Sequence, residues 1–486
     1  MRILLENITK IVMSKIFVYL GLLAFVFIFY KATMQRGCNF GYIVVASPFV
    51  AIGLFFLLKN PLWSYIILFI NNYIIMGITR YISLPVPISL FMDSIMIFTF
   101  LGLLLKNDFT KVNWNRALNP STYLILIWLI YCLLELLNPK LSSFADWYTK
   151  VRSLAFYPIT IIILTSVSLN KYKHLKILLF SLSILTLFAA FKGYWQKNHG
   201  FDSSELIWLY IGGGARTHLI NTGIRYFSFF SDAGNYGSNM GFSLVVFSIA
   251  AFYIKNKWLK IYFLIVALSG GYGMIISGTR GALAVPFAGY AFFVLISKNR
   301  KLALTSILLL ITAFCFLNFT TVGNNNNLIR RMRSAFDTND PSLNVRLANQ
   351  KVLKEHLKGL PFGAGIGFGN IHDPKSPDYK FSITPRDSWF VNIWVQTGVV
   401  GLCLYIMLLF MGIILGGYLI LFKIKNKKLG GILGALLAGV VGMTASAYGN
   451  EILGQYPNCY LYFICFTIVF MGKYYDKELE DYEQLT

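Results

Sequence analysis

The sequence predicts an all-α polytopic membrane protein with about 12–14 transmembrane helices and two long polar loops on one face. Three observations carry that expectation. Of 486 residues, 56% are hydrophobic and 13% charged, with mean hydropathy +0.62, which leaves too little polar surface for a soluble chain. Apolar runs recur along the length, and a bilayer core of roughly 30 Å takes about 20 such residues per helix. Short connections rich in lysine and arginine follow every second run, and so share one side.

The runs lie near 16–33, 42–58, 62–79, 86–105, 121–138, 153–169, 175–192, 236–254, 258–277, 281–297, 302–318, 389–422, 429–447 and 455–472. The first follows Met1–Lys15 without a small-x-small cleavage site and reads as a retained anchor. Run 389–422 is long enough for a membrane helix preceded by an interfacial one. When the fourteen runs alternate, the connections holding Lys106/Lys111/Arg116, Lys171/Lys173/Lys176, Lys255/Lys257/Lys260, Lys298/Arg300/Lys301 and Lys423/Lys425/Lys427/Lys428 share one side. Short cytoplasmic loops carry such an excess, so that side is expected to be cytoplasmic, with both termini inside. The expected organisation is N-terminal helices in 1–192, an outer loop at 193–234, central helices in 235–318, a second outer loop at 319–388, C-terminal helices in 389–472 and a cytoplasmic tail at 473–486.

Net charge is +23. About half of the basic residues set topology. The outer loops hold Lys197, Arg216 and Arg225 in the first, and ten basic residues from Arg330 to Arg386 in the second. Topology does not require those, because long loops cross regardless of charge. A cationic outer face on an apolar bundle points to an anionic, membrane-borne ligand.

Within the second loop, Asp340-Pro341-Ser342 is a helix start. Val345, Ala348, Val352 and His356 recur at helical spacing with Leu353, Leu357 and Leu360, while Arg346, Gln350 and Lys354 fall on another face. This predicts an amphipathic surface helix at about 342–358, with Arg346 facing outward. Pro361-Phe-Gly-Ala-Gly-Ile-Gly-Phe-Gly369 follows, without the strand-turn-helix context of a dinucleotide site. Its glycines let backbone approach a ligand or a neighbouring helix closely. The six cysteines read as small apolar residues.

The ordered segments Arg225-Tyr-Phe-Ser-Phe-Phe-Ser-Asp-Ala-Gly-Asn235, Ser277-Gly-Thr-Arg280-Gly-Ala, Arg346 before Pro361-Phe-Gly-Ala-Gly-Ile-Gly, and Asp387-Ser-Trp-Phe-Val-Asn-Ile-Trp-Val-Gln-Thr-Gly398-Val-Val-Gly401 resemble the O-antigen polymerase and ligase family. The resemblance covers roughly residues 200–420. It implies a GT-C-like glycosyltransferase of the bacterial inner membrane, its long loops periplasmic, that moves glycan from undecaprenyl pyrophosphate to an acceptor hydroxyl. Membrane lipids and a chain-length regulator are the further partners it implies, with no nucleic acid.

On that reading Arg225, Arg280 and Arg346 cradle the pyrophosphate, since a guanidinium binds phosphate oxygens bidentately and stays charged. Arg280 is the most telling, because an arginine beside an apolar run is costly unless it meets an anion. Arg216 is a weaker contact, and Asp232, Asn235, Ser388 and Trp389 are further substrate-contact candidates. The family's ligases carry a His-Asn pair eleven residues before the first glycine of their Gly-x-x-Gly element, where counting back from Gly398 gives Asp387-Ser388. Asp387 is therefore the candidate catalytic base, with N-capping as its structural alternative, and His372 is the second choice. His199 and His218 read as surface residues or acceptor contacts. No metal or cofactor is expected. The missing ligase histidine favours a polymerase over a ligase. A lipid-glycan flippase or secondary transporter is the other class, for which Asp93 and Glu135 are intramembrane carboxylates able to relay protons.

Overall fold

A computed structural model describes residues 52–82, 87–105, 112–220, 223–337, 341–369, 375–376 and 378–485. The first apolar run, most of the second, and His372 lie outside the described residues. The third to fourteenth runs each become a helix: α1 (Pro61–Tyr81), α2 (Ile88–Leu105), α3 (Pro120–Leu134), α4 (Phe144–Ser168), α5 (Tyr172–His199), then, after the loop helix α6 (Ser203–Tyr210), α7 (Ala233–Phe252), α8 (Lys257–Ile276), α9 (Ala284–Ile296) and α10 (Arg300–Phe319). Two loop helices, α11 (Asn327–Arg333) and α12 (Pro341–His356), precede α13 (Trp389–Tyr418), α14 (Lys427–Ser446) and α15 (Asn458–Leu485). Nine helices among the described residues are long and apolar enough to cross a membrane. The protein is an all-α, multi-pass membrane protein; the strands described, β1 (Leu219–Ile220) and β2 (Gly223–Ile224), form one small hairpin.

Polar side chains set the helix starts. Asn119, Asn256, Asn299 and Asn426 accept from first-turn amides of α3, α8, α10 and α14, and Ser143, Asp232 and Ser388 do so for α4, α7 and α13. Each cap satisfies amides that would otherwise be orphaned at a helix end.

Packing centres on α7, whose residues are nearly all buried, with α14 and α15 beside it, while α10 lies at the periphery. Lipid is as apolar as leucine, so close approach and hydrogen bonds must hold the bundle. Gly442 of α14 lies so near the Val285 carbonyl of α9 that a Cβ would collide with it. Asn239 of α7 donates to Asn458 Oδ1 at 2.7 Å and accepts from Tyr73 of α1, and Ser238 meets Ser446 at 2.8 Å. Asp93 is ion-paired with Arg152, and Glu135 accepts from Asn138 at 2.8 Å, so both intramembrane carboxylates have local partners.

The segment expected as a separate tail at 473–486 instead continues α15 to Leu485. Its charges dock it: Asp476 accepts the Lys425 and Asn426 amides at 2.8 and 2.9 Å, Glu478 accepts the Tyr172 amide at 2.8 Å, and Tyr475 donates to the Leu169 carbonyl at 2.6 Å. Of the cysteines, Cys132, Cys459 and Cys465 are buried as expected, whereas Cys315 and Cys403 are exposed on the bundle's flank.

Gly442→Leu is expected to destabilise the protein by roughly 1–3 kcal/mol, the usual cost of overpacking. Thermal unfolding of the detergent-purified protein checks this, and an unchanged midpoint would contradict the α9–α14 contact.

Candidate functional site

The two long loops, the α8–α9 turn and the α14–α15 connection meet at one end of the bundle. The first loop is held rigidly. Helix α5 runs beyond the expected limit at 192 to His199, and its Lys192 pairs with Asp202 at 3.1 Å and Glu205 at 3.0 Å. Asp202 and Glu205 form the capping box of α6. Gln196, buried, imitates a peptide group. It donates to Glu205 at 2.7 Å and the Ser228 carbonyl at 3.1 Å, and accepts the Ser228 amide at 2.8 Å. Ser228 thereby keeps a left-handed φ of 51°, costly for a non-glycine residue. Arg80 closes the loop from α1, donating to the Ser228 carbonyl at 3.0 Å and stacking over Trp208 and Phe227 at 4.3 and 4.4 Å.

His218 proves to be core and not surface: it is 1% exposed. Its Nδ1 lies 2.9 Å from the Gly214 carbonyl and its Nε2 accepts the Ala233 amide at 3.2 Å, so the ring is neutral with its proton on Nδ1. Burial, reinforced by Arg225 and Arg80 and opposed by the Gly214 bond and Asp232, pushes its pKa down to about 4.

The turn at the end of α8 receives the arginines. Arg225 donates to Thr279 Oγ1 at 2.7 Å and to the Thr217 carbonyl at 3.1 Å. Arg331 donates to the Gly278 carbonyl, and Arg280 to Ser334 Oγ at 3.2 Å. Gly278 has φ 58°, so glycine suits the backbone that turns this carbonyl toward Arg331. Burial lowers the pKa of Arg225; Asp232 opposes that shift, and the charges of Arg346 and Arg280 add to it. The three arginines singled out in the sequence thus lie within one electrostatic neighbourhood. Two buried donors there, Arg225 Nε and Asn450 Nδ2, have no hydrogen-bond partner among the described residues.

Arg346 reaches this neighbourhood by a face opposite to the one expected. Leu353 and Leu357 of α12 pack with Ala364, Phe368, Phe381, Val391 and Val395, and Arg346 and Gln350 stand seven residues before them, two turns up the same stripe. Val345 and Leu347 are exposed instead. The helix leans on protein, and that choice turns Arg346 inward.

Asp387 is exposed, with φ 37°. It does not cap α13; Ser388 does, accepting the Val391 amide at 3.5 Å. Asp387 and Arg346 line one small pocket with Arg386, Ser388, Gln350 and Tyr448. Arg386 is fixed by bonds to Asn392 Oδ1 at 3.0 Å and the Phe368 carbonyl at 2.8 Å. An apolar groove of about 530 Å³ between α13 and α14 includes Gln350 and Tyr448 of that pocket and continues along Trp394, Leu402, Ile406 and Leu409.

Beneath the pocket, α13 breaks at Gly398 (φ 67°, ψ −169°), separating a short first segment from the long second one. Pro361–Gly369 fills the break. The Val395 carbonyl accepts the Ala364 amide at 2.9 Å, and the Val400 amide donates to the Pro361 carbonyl at 3.2 Å. Non-helical backbone in a membrane bundle survives only with such partners. A Cβ on Gly363 or Gly398 would collide with the facing backbone, so the glycine run serves a neighbouring helix.

Other candidates have structural engagements. Trp389, 4% exposed, donates to Tyr405 at 3.0 Å and is core, not a platform for sugar. Asn235, buried, donates to the Tyr456 carbonyl at 2.5 Å and joins α7 to α15. Asp232 caps α7 through the Gly234 and Asn235 amides at 2.7 and 2.9 Å. Arg216 is exposed on the turn preceding β1. Sequence reasoning missed Glu451. Burial raises its pKa, against the lowering fields of Arg386 and Lys150 and with those of Asp387 and Asp232. Its signal was present: Tyr448-Gly-Asn-Glu451 is a polar stretch in a short connection on the same side as both long loops.

The fold defines a polytopic membrane protein with a cationic site at one end of its bundle. Residues 263–406 match the family model described as O-antigen ligase, which supports placing the chain in the O-antigen polymerase and ligase family. The matched segment contains Arg280, Arg346 and Asp387; Arg225 and Glu451 flank it. No curated protein matches the chain.

Because His218 is neutral when folded, the unfolded loop takes up protons first as pH falls. Its contribution is fully present above about pH 6.5 and is lost progressively toward pH 4, about 3 kcal/mol in all. Hydrogen exchange of residues 214–233 should accelerate across that window, and His218→Phe should flatten the dependence.

Proposed function

We propose that the chain is a membrane glycosyltransferase that polymerises undecaprenyl-pyrophosphate-linked oligosaccharide repeat units into O-antigen or capsular polysaccharide at the periplasmic face of the bacterial inner membrane. The supporting observation is adjacency: an apolar groove shares Gln350 and Tyr448 with a pocket holding Arg346, in the field that also contains Arg225 and Arg280. A polyprenyl chain with an anionic head matches that sequence of surfaces.

In the reaction, the acceptor hydroxyl oxygen bonds to the anomeric carbon while the bond from that carbon to the pyrophosphate oxygen breaks. The departing electron pair goes to pyrophosphate, and fixed guanidinium groups stabilise it as a divalent cation would elsewhere. The hydroxyl proton goes to a carboxylate. Asp387 lines the pocket; Glu451 lies in its field and has the raised pKa that suits a base working near neutrality. We assign proton acceptance to this pair, with Asp387 nearer the acceptor.

The ligase reading, transfer of finished glycan to lipid A core or protein, is favoured by the description of the matching family model. Transport loses support because Asp93 and Glu135 are engaged locally. Cells lacking the protein separate the readings. A polymerase leaves single repeats on the final anchor, a ligase leaves long chains on the carrier, and unchanged glycans with altered solute uptake would sink both.

Arg280→Ala should lower transfer at least ~100-fold, the scale of a lost transition-state contact, with membrane levels unchanged. Asp387→Asn should do likewise. Glu451→Gln should remove the acid limb of the rate–pH profile; an unaltered profile would assign proton acceptance to Asp387 alone.

A further inference from the structure

A second, separate cavity lies at the opposite end of the bundle, where α9 and α13 end and α10 and α14 begin. Its volume is about 520 Å³. Its mouth carries Lys298, Arg300, Lys301 and Lys427, and no acidic side chain among the described residues lines it. Phe293, Ile296 and Ile420, all buried, form an apolar floor. Gly434 lines that floor beside the Phe293 ring, where a Cβ would stand 3.4 Å away, in ordinary contact, and a longer side chain would enter the cavity. Lys298 is already committed, donating to the Ile424 carbonyl at 3.0 Å. The other three cations are exposed at the mouth. Nearby, Lys428 feels the like charges of Lys176 and Lys255, while the acidic end of α15 is engaged beside the cavity, Asp476 by the Lys425 and Asn426 amides and Glu480 by Lys425 at 3.0 Å, so a counter-anion is favoured at the mouth itself.

We infer that this cavity binds an anionic phospholipid, with its glycerophosphate head between Arg300, Lys301 and Lys427 and an acyl chain on the Phe293–Ile420 floor. Cationic mouth and apolar floor together match an amphiphile; a free phosphate would use the mouth alone. The two capped helix starts at Arg300 and Lys427 add positive dipole ends on the same side. The occupant bridges α10, the least buried of the nine candidate spans among the described residues, to α13 and α14. Since α10 leads into α11 and its Arg331, lipid at one end steadies an element that feeds the arginine neighbourhood at the other. The site does not depend on the transfer reaction.

Delipidated full-length protein is titrated in detergent with phosphatidylglycerol, with phosphatidylcholine of the same acyl chains, or with inorganic phosphate, reading bound lipid by native mass spectrometry and thermal unfolding. Phosphatidylglycerol should bind about tenfold more tightly than phosphatidylcholine at low salt, and the preference should shrink at high salt. The R300Q/K301Q/K427Q variant should lose the preference, and Gly434→Leu should weaken both lipids. Equal binding of the two lipids, full preference in the triple variant, or equal stabilisation by inorganic phosphate would each overturn the proposal. Should the triple variant fail to fold, Arg300→Gln alone decides: a several-fold loss of preference supports the site and none overturns it.

Discussion

Everything at the cationic end depends on the turn Ser277–Arg280, where α8 stops. Like charges gathered in one place repel, so the arrangement stands only if each guanidinium is held by groups that cannot move away. The turn does this with little: the Gly278 carbonyl takes Arg331, Thr279 takes Arg225, and Arg280 itself leaves to meet Ser334. Thr279 Oγ1 also donates to the Ala233 carbonyl at 2.8 Å, tying the turn to the start of α7. The carbonyl end of α8 carries partial negative charge, which offsets part of the repulsion. Asp232, capping α7, supplies a formal negative charge. What remains is net positive, in a place where two buried donors have no hydrogen-bond partner among the described residues.

A second constraint is the break in α13. Opening a helix inside a membrane bundle exposes a carbonyl and an amide that lipid cannot satisfy. The glycine run answers both from within the second loop, and Gln396 extends the arrangement by accepting the Gly367 amide at 3.2 Å. The loop is thereby locked to the bundle at the depth of the break. Arg386 joins the same lock through Asn392 and the Phe368 carbonyl, which places Asp387 above it. The position of Asp387 therefore rests on backbone satisfaction and not on its own chemistry.

How much was legible follows the range of each interaction. Helix existence was readable from hydropathy because burial in lipid demands long apolar runs wherever they lie. Arg225, Arg280 and Arg346 were readable as chemistry, since arginines beyond topological need stand out in a chain with so few charges. The inward turn of Arg346 was not. Val345, Ala348 and Val352 look like an apolar stripe, but Leu353 and Leu357 find Phe368 and Phe381, whose position no local pattern reveals. Trp389 and His218 were misread for a related reason: a membrane-edge indole or imidazole has the same sequence context whether it faces water or is packed.

By itself the sequence determined the class of fold, the helix starts set by Asn, Ser and Asp caps, and the concentration of arginine in two loops, because each rests on composition or on contacts a few residues apart. Only the tertiary structure decided that those arginines share one neighbourhood, that Glu451 lies in the field of Asp387, and that an apolar groove between α13 and α14 adjoins the pocket of Arg346 through Gln350 and Tyr448. Those facts depend on elements well apart in the chain, from Arg225 to Glu451, meeting at one end of the bundle. Close backbone approach and buried hydrogen bonds bring them there, and both act through space, not along the chain.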